Sequence, residues 1–235
     1  MEDRTSKAGM TLFKHLEELR QRLIKVVIAL LIGVLAGMAV AERILKMLII
    51  PLEGNLPQAL SPTEGPAVYF KVAVVVGIVL AMPVIMYQMF QFAAPGLMPN
   101  EKRYVIIGAP AASLCFAAGV VFAAMVLLPA AIPFLNGFLG DIVEHHYSIN
   151  YYMSFVSNIL VWAGLIFETP LVMFFLTKLG VVTPQGFAKS RRIVIVGAAA
   201  GAAIITPTVD PVNMLLVMGP FLLLYELGIL LARLA

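Results

Sequence analysis

Six stretches of the chain run apolar for long enough that water cannot be their solvent. They cover roughly 24–41, 67–93, 104–128, 151–177, 193–206 and 212–232. A helix of about 20 apolar residues matches the hydrocarbon thickness of a bilayer. The ten-residue alternating segments that a transmembrane barrel requires are missing. The fold class expected is therefore all-α: a polytopic membrane protein with six transmembrane helices. Composition agrees, since 61% of the 235 residues are hydrophobic, 12% are charged, and the mean hydropathy is +0.98. Such a chain has too little polar surface to cover itself. Residues 1–10 read as a flexible tail and 11–235 as a single six-span domain. The hydrophobic stretch after the polar N-terminus has no convincing small-residue cleavage site, so the first span is expected to be retained.

The fifth and sixth spans are expected to be short. The fifth, 14 residues before Pro207, reaches about 21 Å at 1.5 Å per residue against roughly 30 Å of hydrocarbon, so it must thin the bilayer or shelter behind neighbours. Six spans put both termini on one side. Of the Lys and Arg residues, 13 fall on the face carrying the termini and 3 (Arg43, Lys46 and Lys71) on or toward the other, which makes the termini cytoplasmic. Segment 41–50 reads as a separate amphipathic helix capping the far interface and stopped by Pro51. Segment 129–150 reads as a solvated outer loop. Its Asp141, Glu144, His145 and His146 lack further ligands at helical spacing, so no metal site is expected. Gly33/Gly37 and Gly197/Gly201 have the spacing that lets helices approach closely. Cys115 stands alone and reads as a small hydrophobe. No phosphate loop and no nucleic-acid patch are present in the sequence.

The informative residues are charges where the membrane makes charge expensive. Leu12, Leu16, Leu19 and Leu23 form one stripe of an amphipathic helix leading into the first span, with Glu17, Glu18, Arg20 and Arg22 around it. That pattern suits a surface helix held by internal pairs such as Glu18 with Arg22. It also suits a receptor surface. Glu101, in the connection between the second and third spans, lies at the level of Glu18, and two carboxylates on one face fit two guanidiniums through paired hydrogen bonds that an ammonium cannot reproduce. Glu168 differs in kind. It sits about 14 Å from the end of its span, where an ionisable group costs several kcal/mol unless partnered or protonated. Pro170 beside it removes a backbone donor at the same depth. Glu226, nearer an interface, can snorkel or pair.

These local spellings occur in a familiar order: His15-Leu16-Glu17-Glu18-Leu19-Arg20 with Arg22-Leu23, Ser61-Pro62-Thr63-Glu64, Pro83-Val84-Ile85-Met86-Tyr87-Gln88, Ala94-Pro95-Gly96-Leu97 with Glu101-Lys102-Arg103, Phe167-Glu168-Thr169-Pro170, and Thr206-Pro207 before Asp210. The set resembles the TatC family, the multispan signal-peptide receptor subunit of the twin-arginine protein translocase, from about His15 to Arg233. The resemblance implies a non-enzymatic protein without cofactor or metal, in the bacterial cytoplasmic (inner) membrane. It would recognise arginine-pair signal peptides of folded cargo and nucleate an export complex driven by the proton-motive force with TatA-like and TatB-like single-span subunits. It would also be a homo-oligomer within that complex, with no nucleic-acid partner.

Carried over residue by residue, the resemblance places Glu18 and Glu101 as the carboxylates receiving the arginine pair, with His15, Leu16, Arg20 and Phe92 in the same signal-peptide surface. Glu168 and Asn213 would face partner helices, and Pro51 and Asp210 would serve the outer loops. Thr208-Val209 before Asp210 reads as a one-residue insertion against the family's spelling. Two other readings stand beside this one. Glu17-Glu18-x-x-x-Arg22 matches the EExxxR of a prenyl-protein protease family, which needs His ligands inside the membrane, whereas His15 precedes the first span and His145 and His146 lie in an outer loop. A proton-coupled secondary transporter using Glu168 fits the composition, although no internal repeat pairs two broken helices.

Overall fold

The computed structural model describes residues 2–52, 56–93, 102–137, 147–205 and 211–234, with side chains from Leu16 in the first segment, through Phe92 in the second and from Gly108 in the third. These residues are helical almost throughout. In chain order the helices are α1 (Glu2–Leu48), α2 (Glu64–Ala93), α3 (Lys102–Phe122), α4 (Leu128–Gly137), α5 (Ile149–Phe167), α6 (Thr169–Lys178), α7 (Pro184–Lys189), α8 (Arg191–Ile205) and α9 (Pro211–Ala232). A π-helical turn, Ala123–Leu127, joins α3 to α4, and a 3₁₀ turn, Ile50–Leu52, follows α1.

Among the described residues five helical spans are long and apolar enough to cross a membrane: Leu16–Leu52, Glu64–Phe92, Gly108–Gly137, Ile149–Lys178 and Pro211–Ala232. The last, expected to be short, has 22 residues, about 33 Å of helix. The fifth apolar run forms α8, whose 15 residues reach only about 22 Å.

Two boundaries differ from the sequence reading. Segment 41–50 is no separate cap. α1 continues unbroken as far as Leu48, with Glu42 and Lys46 paired at 2.6 Å one turn apart, because no proline lies between Thr11 and Leu48 to break it. The loop expected from Pro129 does not begin there, since Pro129 to Gly137 belong to helix α4. The π turn explains this: Leu128 donates to the Ala123 carbonyl five residues back, and that wider turn lets Pro129 enter the next helix without its N–H being missed. Glu168 marks a break inside the run read as one span, where α5 ends and α6 restarts with Pro170, whose missing backbone donor the sequence did show, in its first turn. α6 in turn ends on Gly180, at φ +68°. Val181 there donates to the Leu176 carbonyl at 3.0 Å, a left-handed helix cap.

α1 and α2 lie antiparallel at very close range. A Cβ on Gly33 would stand 2.5 Å from the Gly77 carbonyl oxygen, and one on Gly37 2.5 Å from that of Ala73. Only glycine permits this approach, so the Gly33/Gly37 spacing does what its pattern suggested. The Gly197/Gly201 pair meets nothing within 4 Å. At the end of the bundle away from the N-terminus, tyrosines tie the elements together: Tyr69 Oη donates to the Met38 carbonyl (2.5 Å) and Tyr152 Oη to that of Leu48 (2.6 Å). Lys71 Nζ donates to Asn150 Oδ1 (2.9 Å) and Ser154 Oγ (2.6 Å). The main apolar core fills the space among α1, α2, α5 and the π turn, around Val68, Val72, Met153 and Val156.

Candidate functional site

Two groups of polar residues stand out. The first lies at the near end of the bundle, where α1 passes the C-terminal turns of α2. Leu16, Leu19 and Leu23 are exposed, so the apolar stripe of this helix faces outward and is not covered by any described element. Arg20 also points out, loosely paired with Glu17 at 3.6 Å. Between these outward faces, Glu18 and Arg22 turn toward α2. Arg22 Nε and Nη2 donate to Glu18 Oε1 at 3.0 and 2.5 Å. Arg22 Nη1 reaches across to Gln91 Oε1 at 2.8 Å and Gln88 Oε1 at 3.4 Å. Gln91 Nε2 donates in turn to Tyr87 Oη at 2.6 Å, which fixes its amide oxygen toward Arg22. Gln88 is buried and Phe92 half-buried.

Of the sequence-derived residues, Glu18, Leu16, Arg20 and Phe92 thus share one end of the molecule. His15 belongs to α1, with its side chain outside the described residues, and Glu101 lies outside them altogether. Sequence reading named Arg22 as a local partner of Glu18 and within two motif spellings, gave it no place in the signal-peptide surface, and did not single out Gln88, Gln91 or Tyr87 for this site. The available signal was polar Tyr87, Gln88 and Gln91 closing an apolar run, with Tyr87 and Gln91 one helical turn apart.

The second group is inside the span. Glu168 is 5% exposed, and neither carboxylate oxygen has a hydrogen-bond partner. It faces Cys115 and Phe116 of α3. The Phe116 backbone is its polar neighbour, at a geometry that falls short of a hydrogen bond. Close packing of α3 on α5 creates this enclosure, since a Cβ on Gly119 would meet the Ala163 carbonyl oxygen at 2.6 Å. Asn213, in the first turn of α9, is 2% exposed. Pro51 sits half-buried in the 3₁₀ turn. Asp210, His145 and His146 lie outside the described residues. No group of three or more metal-ligating side chains occurs among the described residues.

Glu226 pairs. Its carboxylate takes both forks of Arg191, each at 2.7 Å, tying α9 to the start of α8. The hydrogen bond to Glu226, and then its charge, raise the Arg191 pKa above its ordinary value. Tyr225 Oη donates to the Phe187 carbonyl at 2.8 Å beside it.

Long apolar helices, a buried carboxyl group and a carboxylate–guanidinium–amide network at one end define a multi-pass helical membrane protein. Comparison with known proteins identifies which one. Residues 14–220 match the family model for the Sec-independent protein translocase protein TatC. The chain is 36% identical over 226 residues to the TatC of Carboxydothermus hydrogenoformans, covering 95% of this chain and 93% of that one. It is 39% identical over 232 residues to the TatC of Aquifex aeolicus, covering 96% of each. A crystal structure of a twin-arginine translocase receptor TatC superposes with a TM-score of 0.83 at 38% identity, covering 94% of this chain and 98% of that chain. The chain belongs to the TatC family. It is a non-enzymatic subunit of the twin-arginine, Sec-independent protein translocase and a multi-pass protein of the inner membrane.

Proposed function

We propose that this chain is the signal-peptide receptor of its translocase, binding the arginine pair of folded cargo at the near end of the bundle. The observation that carries this reading is the position of Glu18. It lies on α1, one guanidinium away from the end of α2, and from there the connection bearing Glu101 departs. The surface is completed by His15, Leu16, Arg20 and Phe92. Glu168 and Asn213 serve partner helices of TatA-like and TatB-like subunits, and Pro51 and Asp210 the far-side loops. α8 completes a six-span unit over 11–235 with both termini cytoplasmic, supported by the 13-to-3 distribution of Lys and Arg, and residues 1–10 form its tail. Several copies assemble in one complex, and the proton-motive force drives export. A relative solved as a twin-arginine translocase receptor supports the same role.

The test is binding of an Arg-Arg signal peptide and its Lys-Lys version to the detergent-solubilised protein. The Arg-Arg peptide is expected to bind and the Lys-Lys peptide to bind far more weakly. Equal binding of the two would remove the receptor reading.

A further inference from the structure

We propose that Arg22 is the resident occupant of the Glu18 carboxylate and sets the selectivity of the site for arginine. The inference rests on the receptor reading above. Two donors of the Arg22 guanidinium converge on Glu18 Oε1, while the remaining edge is held by Gln91 and, at longer range, Gln88. The chain's own guanidinium therefore sits where a peptide guanidinium would have to bind.

A bidentate arginine fork needs both carboxylate oxygens, and Arg22 already holds Oε1 through two donors, so an incoming arginine that pairs in this way must exchange with Arg22. The structure provides for that exchange. Gln91 and Gln88 are neutral acceptors on α2, and Tyr87 orients the Gln91 amide. When its bonds to Glu18 break, Arg22 keeps its Nη1 hydrogen bond and stays at the α2 end. The arriving side chain must then reproduce two charge-assisted hydrogen bonds. An arginine fork does so, whereas a lysine ammonium arrives as a point charge and cannot match the geometry it displaces. Selectivity follows because the occupied site admits only a competitor as good as its resident.

The test uses the full-length protein in detergent with synthetic Arg-Arg and Lys-Lys peptides and four single variants. Arg22→Gln removes the resident and is expected to tighten Arg-Arg binding roughly tenfold, about 1.4 kcal/mol, and to tighten Lys-Lys binding by more, so that the ratio between them narrows. Gln91→Leu removes the holding acceptor on α2, keeps Arg22 on Glu18, and should weaken Arg-Arg binding. Opposite signs in two neighbouring variants are not what general loss of folding produces. Lys25→Gln removes an exposed positive charge one turn further along α1 and should leave the Arg-to-Lys ratio unchanged, which separates occupancy from net charge. Weaker or unchanged Arg-Arg binding in Arg22→Gln overturns the inference. Glu18→Gln distinguishes the two levels: if it binds the Arg-Arg peptide as tightly as the parent, the receptor reading itself fails. If it loses binding while Arg22→Gln does not tighten it, only the role given to Arg22 fails.

Discussion

Replacing Glu168 by leucine is expected to stabilise the isolated subunit and disable the translocase. Both carboxylate oxygens are shielded from solvent and have no hydrogen-bond partner. The surrounding wall is the Phe116–Gly119 stretch of α3 packed on α5. A buried polar group left without a partner costs about 1–3 kcal/mol, so exchanging it for an apolar side chain of similar size should return that amount to the fold. The return shrinks if leucine strains the Gly119–Gly164 contact. Stability can be read from unfolding of the purified protein on titration with a denaturing detergent, where Glu168→Leu should shift the midpoint upward and Glu168→Gln should stay near the parent. Function is read separately, by site-specific cross-linking to single-span partner subunits and by export of a folded reporter. Leucine has no polar atom to offer a partner helix, whereas glutamine still has an acceptor and a donor. Cross-linking and export should therefore fall in Glu168→Leu and largely persist in Glu168→Gln. A loss of stability in Glu168→Leu would refute the reasoning, because it would mean that the carboxyl group is bonded within the subunit and not held for a partner.

Glu18→Ala and Glu101→Ala should each weaken the Arg-Arg peptide by about 1.5–3 kcal/mol, the range for a hydrogen bond to a charged group, measured by equilibrium binding. An unchanged affinity in either removes that residue from the site. A cysteine at Gln185, between α6 and α8, should resist membrane-impermeant thiol reagents added outside intact cells, and labelling there would reverse the proposed orientation. Gly33→Leu should destabilise the protein by roughly 1–3 kcal/mol, the cost of overpacking, while Gly197→Leu should be tolerated because no atom lies within 4 Å of its built Cβ. Detergent unfolding of the two variants checks the contrast.

The apolar runs announced where helices lie but not where one helix passes into the next. Periodicity reports what surrounds a helix, and the change from an apolar to an amphipathic pattern near Ala41 is a change of surroundings that leaves the α1 backbone uninterrupted. Pro129 misled for a related reason: proline ends a helix only where its missing N–H matters, and the π turn before it removes that condition. The burial of Glu168 was legible because depth follows from position in a span, whereas Pro170 showed a missing backbone donor without showing that the helix restarts there. The Glu18–Arg22 pair was legible from its one-turn spacing, but the reach of Arg22 to Gln91 and Gln88 was not. It depends on which turn of α1 meets which turn of α2, a register set by the Gly33–Gly77 and Gly37–Ala73 contacts, and no local pattern encodes that meeting.

The same register limits what can move. α1 and α2 are pinned at mid-length by backbone contact and at the far end by the Tyr69–Met38 hydrogen bond, so sliding one past the other would break packing along the whole seam. Adjustment at the near end is therefore a matter of side chains, and exchange at Glu18 needs only Arg22 to turn between acceptors already within reach. α8 is held differently. Its face toward Ile193, Val196 and Ile204 is open, and its start is fastened to α9 by a solvent-exposed ion pair, a kind of contact that contributes little to stability. Buried contact with α9 is concentrated toward its other end, around Ala202, Ile205 and Val217. Under the proposed receptor reading, a peptide at Glu18 meets a surface whose backbone is held by the α1–α2 register. Any larger rearrangement during transport is expected at α8, which is too short to span the bilayer alone and whose charged end is held by the exposed Arg191–Glu226 pair and by Val194 packed against Tyr225 and Ile229.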